Sequence, residues 1–255
     1  MNEKTAQFSL RGLFQPRDLT EGTPWKTILA FALPIIISYL LQQVYTISDA
    51  AIVGQTLTAG EVAGVNDTTS IIFIFLQFAF GVSAGFCVVT AAEVGAHHEA
   101  GVRRSLAAQI LLSAALTVLL TGLALLLLKP MLAWINVTPE RPEVYRAAHT
   151  YCAIIFAGIG AQLFYNFICS FLRSMGDSVT PLLFLLFSTI LNIGLDLLFI
   201  VSFHWGVAGA AIATVAAQLI STVGCFLYAF IKYPKLRLHR EDWQVTLGDM
   251  RRHLG

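Results

Sequence analysis

Residues 179–203 read VTPLLFLLFSTILNIGLDLLFIVSF, and this stretch decides the fold. It runs for 25 residues with a single charged side chain, that of Asp196. A helix needs roughly 20 apolar residues to cross a bilayer core of about 30 Å. Strands that cross membranes are shorter and alternate apolar with polar residues. The stretch therefore predicts a transmembrane helix.

The rest of the chain has the same character. Of its 255 residues, 56% are hydrophobic and 12% are charged, and the mean hydropathy is +0.72. A soluble domain carries about 25% charged residues and has too little polar surface to cover so apolar a chain. The composition excludes a soluble enzyme, a nucleic-acid-binding protein and a disordered chain as leading interpretations. It predicts an integral membrane protein.

Six apolar segments are long enough to cross a membrane. They are residues 28–53, 69–93, 106–128, 147–172, 179–203 and 207–231. The predicted fold class is therefore all-α, a polytopic membrane protein with six transmembrane helices. Pro34 lies inside the first segment and predicts a kink there, because proline removes a backbone hydrogen bond.

The distribution of Lys and Arg predicts the orientation. If the six segments cross in turn, 13 of the 16 basic residues lie on one side and 3 on the other. By the positive-inside rule both termini are cytoplasmic. The expected location is a bacterial-type plasma (inner) membrane.

The predicted domains are a cytoplasmic N-terminal tail (1–27), a six-helix transmembrane lobe (28–231) and a cytoplasmic basic connector (232–255). We expect the connector to be solvated, with a position on the membrane surface as the alternative.

Two carboxylates lie inside the apolar segments, Asp49 and Asp196. A charged group near the bilayer centre costs about 2.5–3.5 kcal/mol on insertion scales, and such groups usually mark a functional site. The alternative for each is an aspartate that caps a helix near an interface. Asn192 lies four residues before Asp196 and shares its helix face. Oxygen ligands suit a hard cation such as Na⁺, whereas desolvation and a second carboxylate suit a proton, and the sequence leaves both open.

Other motifs give no sign of enzymatic chemistry. The cysteines lie in apolar segments without ligand spacing, which favours packing residues over a metal site or a disulfide; they are Cys87, Cys152, Cys169 and Cys225. The spans contain no Ser/His pair, HExxH or GxSxG. The protein is predicted not to be an enzyme and to need no cofactor beyond a coupling ion.

Gly81 and Gly85 form a GxxxG that permits close helix packing.

The turn between the fourth and fifth segments reads FLRSMGDSVTP, residues 171–181. Gly176 suits a left-handed helix end, and Asp177 or Ser178 suits the cap of the next helix. This turn resembles the multidrug and toxic compound extrusion (MATE) family. The resemblance extends from about Leu19 onward and is carried by further motifs: LP at 33–34, QQ at 42–43, SD at 48–49, IVG at 52–54, LNIGLD at 191–196 and GVAGAA at 206–211.

The resemblance implies twelve helices in two six-helix lobes, with the cation site in the N-terminal lobe. The family's site residues match Asp49, Asn192, Asp196 and Thr214 here. Tyr151 and Asn166 match residues of the family's surrounding polar network. We add Gln42 to this network and to the substrate cavity as one of several polar residues in the spans. Since a full member is nearly twice as long, the chain is expected to be the N-terminal lobe alone.

The expected function is secondary active antiport, in which Na⁺ or H⁺ entry drives export of organic cations or amphipathic drugs. The expected partners are the lipid bilayer and a second lobe, supplied by a homodimer or a separate half, and not nucleic acid. Three alternatives stay open: a lipid-linked precursor flippase of related fold, a channel or structural subunit, and a transport-inactive truncated lobe. A flippase would be expected to carry buried Lys or Arg for phosphate, and the spans have none.

Overall fold

The computed structural model of the chain describes residues 23–254, so most of the predicted N-terminal tail lies outside it. These residues form helices and turns without a strand, which confirms the all-α class. The helices are α1 (Pro24–Thr56), α2 (Ala59–Gly95), α3 (Glu99–Trp134), α4 (Pro142–Ala157), α5 (Ile159–Ser174), α6 (Val179–Asp196), α7 (Gly206–Lys232) and α8 (Leu247–Leu254). A π-helical turn (Leu197–Ser202) continues α6, and 3₁₀ turns cover Pro234–Leu236 and Arg240–Trp243.

The six predicted spans correspond to these helices. By length and composition, α1, α2, α3, α7 and α6 with its π-helical turn can each cross a membrane, and α4 with α5 makes a sixth, bent span. Most of the helices extend beyond the apolar segments into the flanking polar residues. For example, α2 begins at Ala59 rather than near residue 69, since Thr58 and Glu61 cap it reciprocally.

The fourth span is bent by 46° between α4 and α5, at Gly158. The sequence predicted one uninterrupted apolar segment there. A Cβ atom at Gly158 would overlap the Val215 side chain of α7. The bend therefore lies where α7 approaches the span more closely than a residue with a side chain would allow.

The helices alternate in direction, so the junctions fall at two ends of the bundle. We call the end with residues 95–99, 174–179 and 233–254 the connector end; there Lys232 Nζ donates to Asp177 Oδ2 over 2.8 Å. We call the end with residues 56–59, 134–142 and 202–206 the far end. There Thr58 Oγ1 donates to Glu143 Oε1 over 2.6 Å. These contacts join segments that are distant in sequence at both ends.

The turn between α5 and α6 has the predicted local structure. Gly176 has φ +83°, the left-handed conformation that glycine adopts without steric cost. The Asp177 carboxylate accepts the backbone N–H of Thr180 over 3.0 Å and its hydroxyl over 2.7 Å. Asp177, rather than Ser178, thus supplies the side-chain cap of α6.

The described part of the connector, residues 233–254, is exposed over most of its length, but it docks on the lobe through a few buried residues, which the sequence did not predict. Leu236 is buried in an apolar cluster with residues of α2, α3, α5 and α7. Arg103 of α3 donates to Asp242 over 3.2 Å, and α8 lies against α2 and α3. The polar composition of the connector did not predict this docking. Some of its polar residues bind charged residues at the ends of the helices.

Large apolar side chains cover the outside of the lobe. Val118, Leu126 and Ile231 are 74%, 78% and 76% exposed, respectively. Soluble proteins rarely expose contiguous apolar patches of this extent. The surface fits contact with lipid, in agreement with a multi-pass membrane protein.

Close helix contact occurs at Gly64 rather than at the GxxxG of Gly81 and Gly85. A Cβ at Gly64 would lie 2.6 Å from the Val144 carbonyl oxygen and 2.8 Å from Ala147 Cβ, both in α4. Among the described residues, no atom outside the local helix lies within 4 Å of a Cβ added at Gly81 or Gly85. The GxxxG of Gly81 and Gly85 therefore makes no close helix contact within the described lobe.

We expect Gly64→Ala to destabilise the lobe by about 1–3 kcal/mol, because α2 must move away from the α4 backbone. Thermal unfolding in detergent measures the effect. Gly81→Ala is the matched control and should be neutral or slightly stabilising, since alanine is the better helix former. Equal effects of the two substitutions would contradict the packing described here.

Candidate ion-binding site

Three helices bring the predicted ion-binding residues together near the far end. Asp49 lies seven residues before the end of α1, Asp196 ends α6, and Thr214 lies eight residues into α7. At 1.5 Å per residue, Asp49 and Thr214 are about 10–12 Å from the far ends of α1 and α7, and Asp196 lies six residues before the end of the π-helical turn that continues α6. The apolar face of α1 packs mainly on α6, and α6 packs on α7. Burial of these faces therefore brings the two aspartates together.

The carboxyl groups of Asp49 and Asp196 are close enough to interact electrostatically. Two ionised carboxylates this close repel each other, and burial strengthens the repulsion. Asp196 and Asn192 are fully buried, and Asp49 is partly buried. No donor or acceptor within residues 23–254 satisfies the side-chain oxygens of Asp196 or the amide of Asn192.

Two tyrosines complete the cluster. Tyr45 lies close to the Thr214 side chain and in the electrostatic field of both aspartates. Tyr151 is close enough to interact electrostatically with Asp49, Asp196 and Tyr45. The resemblance predicted Tyr151 but not Tyr45. Its position four residues before Asp49, on the same face of α1, is the signal that could have found it.

The helix changes its geometry directly after Asp196. Residues Leu197–Ser202 form a π-helical turn, in which Phe203 N–H donates to the Leu198 carbonyl over 3.0 Å. Such turns are rare and occur frequently at functional sites. A Cβ at Gly209 of α7 would lie 3.1 Å from the Phe199 carbonyl carbon, so α7 packs closely on the turn. The sequence gives no sign of the turn apart from this small residue.

An apolar layer closes the cluster toward the far end. It consists of Val53, Ile200 and Ala210, which are 3%, 4% and 1% exposed and form one buried cluster. Each lies one helical turn from a site residue, because Val53 follows Asp49, Ile200 follows Asp196 and Ala210 precedes Thr214 by four positions. Water or an ion thus meets a hydrophobic barrier between the site and the far end.

The other predicted residues lie farther from the acid pair. Gln42 is exposed on α1, two turns from Asp49 and on the same face. Asn166 is half-buried on α5, and within residues 23–254 no hydrogen bond ties it to the cluster. The structure thus brings together Asp49, Asn192, Asp196, Thr214 and Tyr151, and it places Gln42 and Asn166 outside that group.

The donor set determines the chemistry of the site. Two carboxylates, an amide and a hydroxyl provide oxygen atoms, which are ligands for hard cations rather than for soft metals. Two adjacent negative charges in a desolvated place are costly, so a cation or a proton stabilises the pair. The unsatisfied polar atoms of Asn192 and Asp196 fit either. Among the described residues, no group of three or more His, Cys, Asp or Glu side chains could hold a metal ion.

Fold and site together define one helical lobe of a membrane transporter. The MatE family model matches residues 34–198, which is more than half of the chain. The chain belongs to this family, whose members are transporters and not enzymes. It is a multi-pass membrane protein of the MATE transporter type.

Relatives of known sequence and structure agree with the family. "Probable multidrug resistance protein YpnP" from Bacillus subtilis (strain 168) is 32% identical over 227 residues, covering 87% of this chain and 48% of that protein. "Probable multidrug resistance protein NorM" from Thermotoga maritima is 26% identical over 229 residues, covering 88% and 46%. The chain thus spans about half the length of the curated relatives it matches.

Solved structures show the same fold. The outward-facing structure of a multidrug resistance MATE family transporter of the MOP superfamily superposes with a TM-score of 0.83 at 24% identity, over 91% of this chain and 51% of that one. A MOP superfamily transporter from Pyrococcus furiosus gives a TM-score of 0.80 at 24% identity, over 92% and 52%. Both matches correspond to one lobe.

Proposed function

We propose that the chain forms the N-terminal lobe of a secondary active antiporter that exports organic cations or amphipathic drugs in exchange for Na⁺ or H⁺. The observation that carries the proposal is the proximity of the Asp49 and Asp196 carboxyl groups to each other, beside Asn192, whose amide has no hydrogen-bond partner within residues 23–254. A purely structural buried pair would be expected to have its polar atoms satisfied. The unsatisfied atoms here support a site that binds something else.

In this proposal Asp49 and Asp196 carry the charge that the coupling ion neutralises. Asn192 and Thr214 supply neutral oxygens, and Tyr45 and Tyr151 line the site. The apolar layer of Val53, Ile200 and Ala210 restricts access from the far end. The ion therefore reaches the site from the side of α1 that carries Gln42, which is exposed on this lobe.

Neutralisation of the pair links ion binding to conformation. Without the ion, repulsion between two desolvated carboxylates opposes the close packing of α1 on α6. With the ion bound, the repulsion is removed and the helices pack. Pro34, which interrupts the hydrogen bonds of α1, provides a place for the helix to bend.

A second lobe is part of the proposal, because alternating access requires two bodies that move about a site. A homodimer or a separately encoded half could supply it.

The distribution of basic residues, 13 on the side of the termini and 3 on the other side, supports cytoplasmic termini. We propose a bacterial inner membrane as the location.

The test is reconstitution of the chain into vesicles after its assembled mass has been measured in detergent. We expect a dimer that exports ethidium, an organic cation, when a Na⁺ or H⁺ gradient is imposed. Efflux that ignores both gradients would contradict antiport. A monomer without efflux would restrict the chain to an ion-binding lobe that needs a separate partner, and translocation of a lipid-linked phosphate would favour the flippase alternative.

A further inference from the structure

The connector, residues 233–254, is held on the lobe by a buried histidine. His253 lies on α8 and is 7% exposed. Its Nδ1 lies 2.8 Å from the Asp249 carbonyl oxygen, and its Nε2 lies 2.8 Å from Ser105 Oγ of α3. The edge of the ring contacts Phe86 of α2. Both nitrogens of the ring thus have a partner.

These partners determine the protonation state of the docked ring. A carbonyl oxygen only accepts hydrogen bonds, so Nδ1 must carry a hydrogen. In the neutral ring Nε2 is then an acceptor, and the Ser105 hydroxyl donates to it. The contact therefore favours the neutral, Nδ1-protonated form of His253.

Ser105 is the outer member of a hydrogen-bonded chain that runs into the lobe. Gln109 Nε2 donates to Ser105 Oγ over 3.0 Å and to Thr90 Oγ1 over 2.5 Å, and the two hydroxyls are 2.8 Å apart. Cys87 Sγ donates to Gln109 Oε1 over 3.2 Å. These side chains are all buried. With Thr90 donating to Ser105, every hydroxyl in the chain has one acceptor for its hydrogen.

A second proton on His253 disturbs this arrangement. Nε2 then becomes a donor, and Ser105 Oγ faces three donors: His253, Gln109 and Thr90. A hydroxyl oxygen has two lone pairs, so one donor loses its acceptor and the Ser105 hydrogen has to turn elsewhere. Leaving a buried donor unsatisfied costs about 1–3 kcal/mol. Protonation therefore favours release of α8.

Protons can reach the ring although it is buried. A cavity of about 260 Å³ between α3, α8 and the Arg240–Trp243 turn includes His253 in its lining. The charged and titratable groups that line it come from α2, the α2–α3 turn, α3, the 3₁₀ turn and α8; they are Glu93, His98, Arg103, Arg104, Glu241, Asp242, Asp249 and Arg252.

The carboxylates in this set do not replace Ser105 as the partner of His253. Glu93 accepts from His98 and pairs with Arg252 at 3.4 Å. Asp242 binds Arg103, and Asp249 caps α8 through Thr246. The hydrogen bond of His253 Nε2 is made with a neutral hydroxyl, so the ring gains no specific partner when it becomes charged.

We propose that His253 and Ser105 form a pH-dependent latch, which holds the connector on the lobe at neutral pH and releases α8 in acid. Histidine is the side chain whose charge responds to pH in the physiological range, so the imidazole is the group of the latch that acid would change. The latch couples the docking of the connector to the polar chain between α2 and α3. It does not depend on the transport activity proposed above.

Hydrogen–deuterium exchange of the full chain in lipid nanodiscs tests the latch. The readout is the protection factor of residues 247–254 at about pH 7.5 and about pH 5.5, corrected for the intrinsic exchange rates. We expect protection to fall roughly tenfold in acid, the change produced by loss of about one buried hydrogen bond. Equal protection of the wild-type chain at the two pH values would overturn the proposal.

Three variants separate His253 from its neighbours. His253→Gln keeps an acceptor for Ser105 but does not titrate, so protection should no longer depend on pH. Ser105→Ala removes the donor and should lower protection already at neutral pH, with a smaller further fall in acid. His98→Gln, which removes the other histidine at the cavity, should retain the wild-type fall. A pH effect that persists in His253→Gln or disappears in His98→Gln would assign it to another group.

Discussion

Replacement of Asp196 by asparagine is expected to abolish ion-coupled efflux and to leave the protein inserted and folded. The neutral amide that replaces the carboxylate cannot carry the charge that the coupling ion neutralises. It has nearly the same shape, and no donor within residues 23–254 binds the Asp196 oxygens, so the substitution removes no hydrogen bond in the lobe. Gradient-driven ethidium efflux should fall to the level seen without a gradient. The midpoint of thermal unfolding should stay the same or rise, because a buried charge is lost.

Asp49→Asn should give the same result, since both carboxyl groups belong to one site. The matched control is Glu140→Gln, which removes a carboxylate from an exposed position in the far-end turn and should leave coupling unchanged. Gradient-dependent efflux retained by both aspartate variants would reject the assignment of the site. The measurements use an assembled transporter, that is, the homodimer or the chain with its complementary half.

Asp177→Asn is expected to cause a large loss of stability, in contrast to the two variants of the ion-binding site. The Asp177 side chain is 2% exposed and accepts from Lys232, Thr180 and the Tyr233 hydroxyl, the last over 2.7 Å. Removal of one charge from a buried ion pair costs about 3–5 kcal/mol. Chemical or thermal unfolding in detergent should show a loss of this size. The affected contacts join the start of α6 to the end of α7.

The effect of Asp177 should depend on pH. Burial by itself would raise the pKa of this carboxyl, but hydrogen bonds from Lys232, Thr180 and Tyr233 outweigh burial and hold the pKa below its ordinary value. The unfolded chain then takes up the proton first as the pH falls. The stabilisation is therefore present above about pH 4, the ordinary value for aspartate, and is lost as the pH falls through the lower pKa of the folded state. The difference between wild type and Asp177→Asn should shrink accordingly.

An exposed ion pair at the same end of the lobe serves as the control. Lys235 and Glu99 pair at the surface, with side chains 77% and 56% exposed. Lys235→Met should cost no more than about 1 kcal/mol. A loss for Asp177→Asn no larger than that of the surface control would contradict a structural role for the buried pair.

The sequence predicted those features that follow from local chemistry. A run of apolar residues long enough for a bilayer identifies a span without knowledge of its neighbours, and Asp196 was conspicuous because a carboxylate is costly there. Gly176 and Asp177 form the predicted turn because left-handed backbone and side-chain capping are local properties. The resemblance to a known family added Thr214 and Tyr151, which were not distinctive by themselves.

The features that were missed depend on contacts between distant segments. Gly64 and Gly81 are both glycines within α2, and of the two only Gly64 faces another helix. Tyr45 joins the site because Thr214 lies opposite it on α7. The connector contains polar residues that would suit solvent, and one of its contacts with the lobe joins His253 to Ser105, which lies 148 positions earlier. No local pattern in the sequence predicts these contacts.

Infrared difference spectroscopy of the chain in lipid, on addition of Na⁺ or on a change of pH, tests most directly whether Asp49 and Asp196 form one ion-binding site. The account predicts a carboxylic-acid C=O band that changes when the coupling ion binds or leaves, and that Asp49→Asn and Asp196→Asn each abolish this change. Spectra that respond to the ion in the same way in wild type and in both variants would contradict the account.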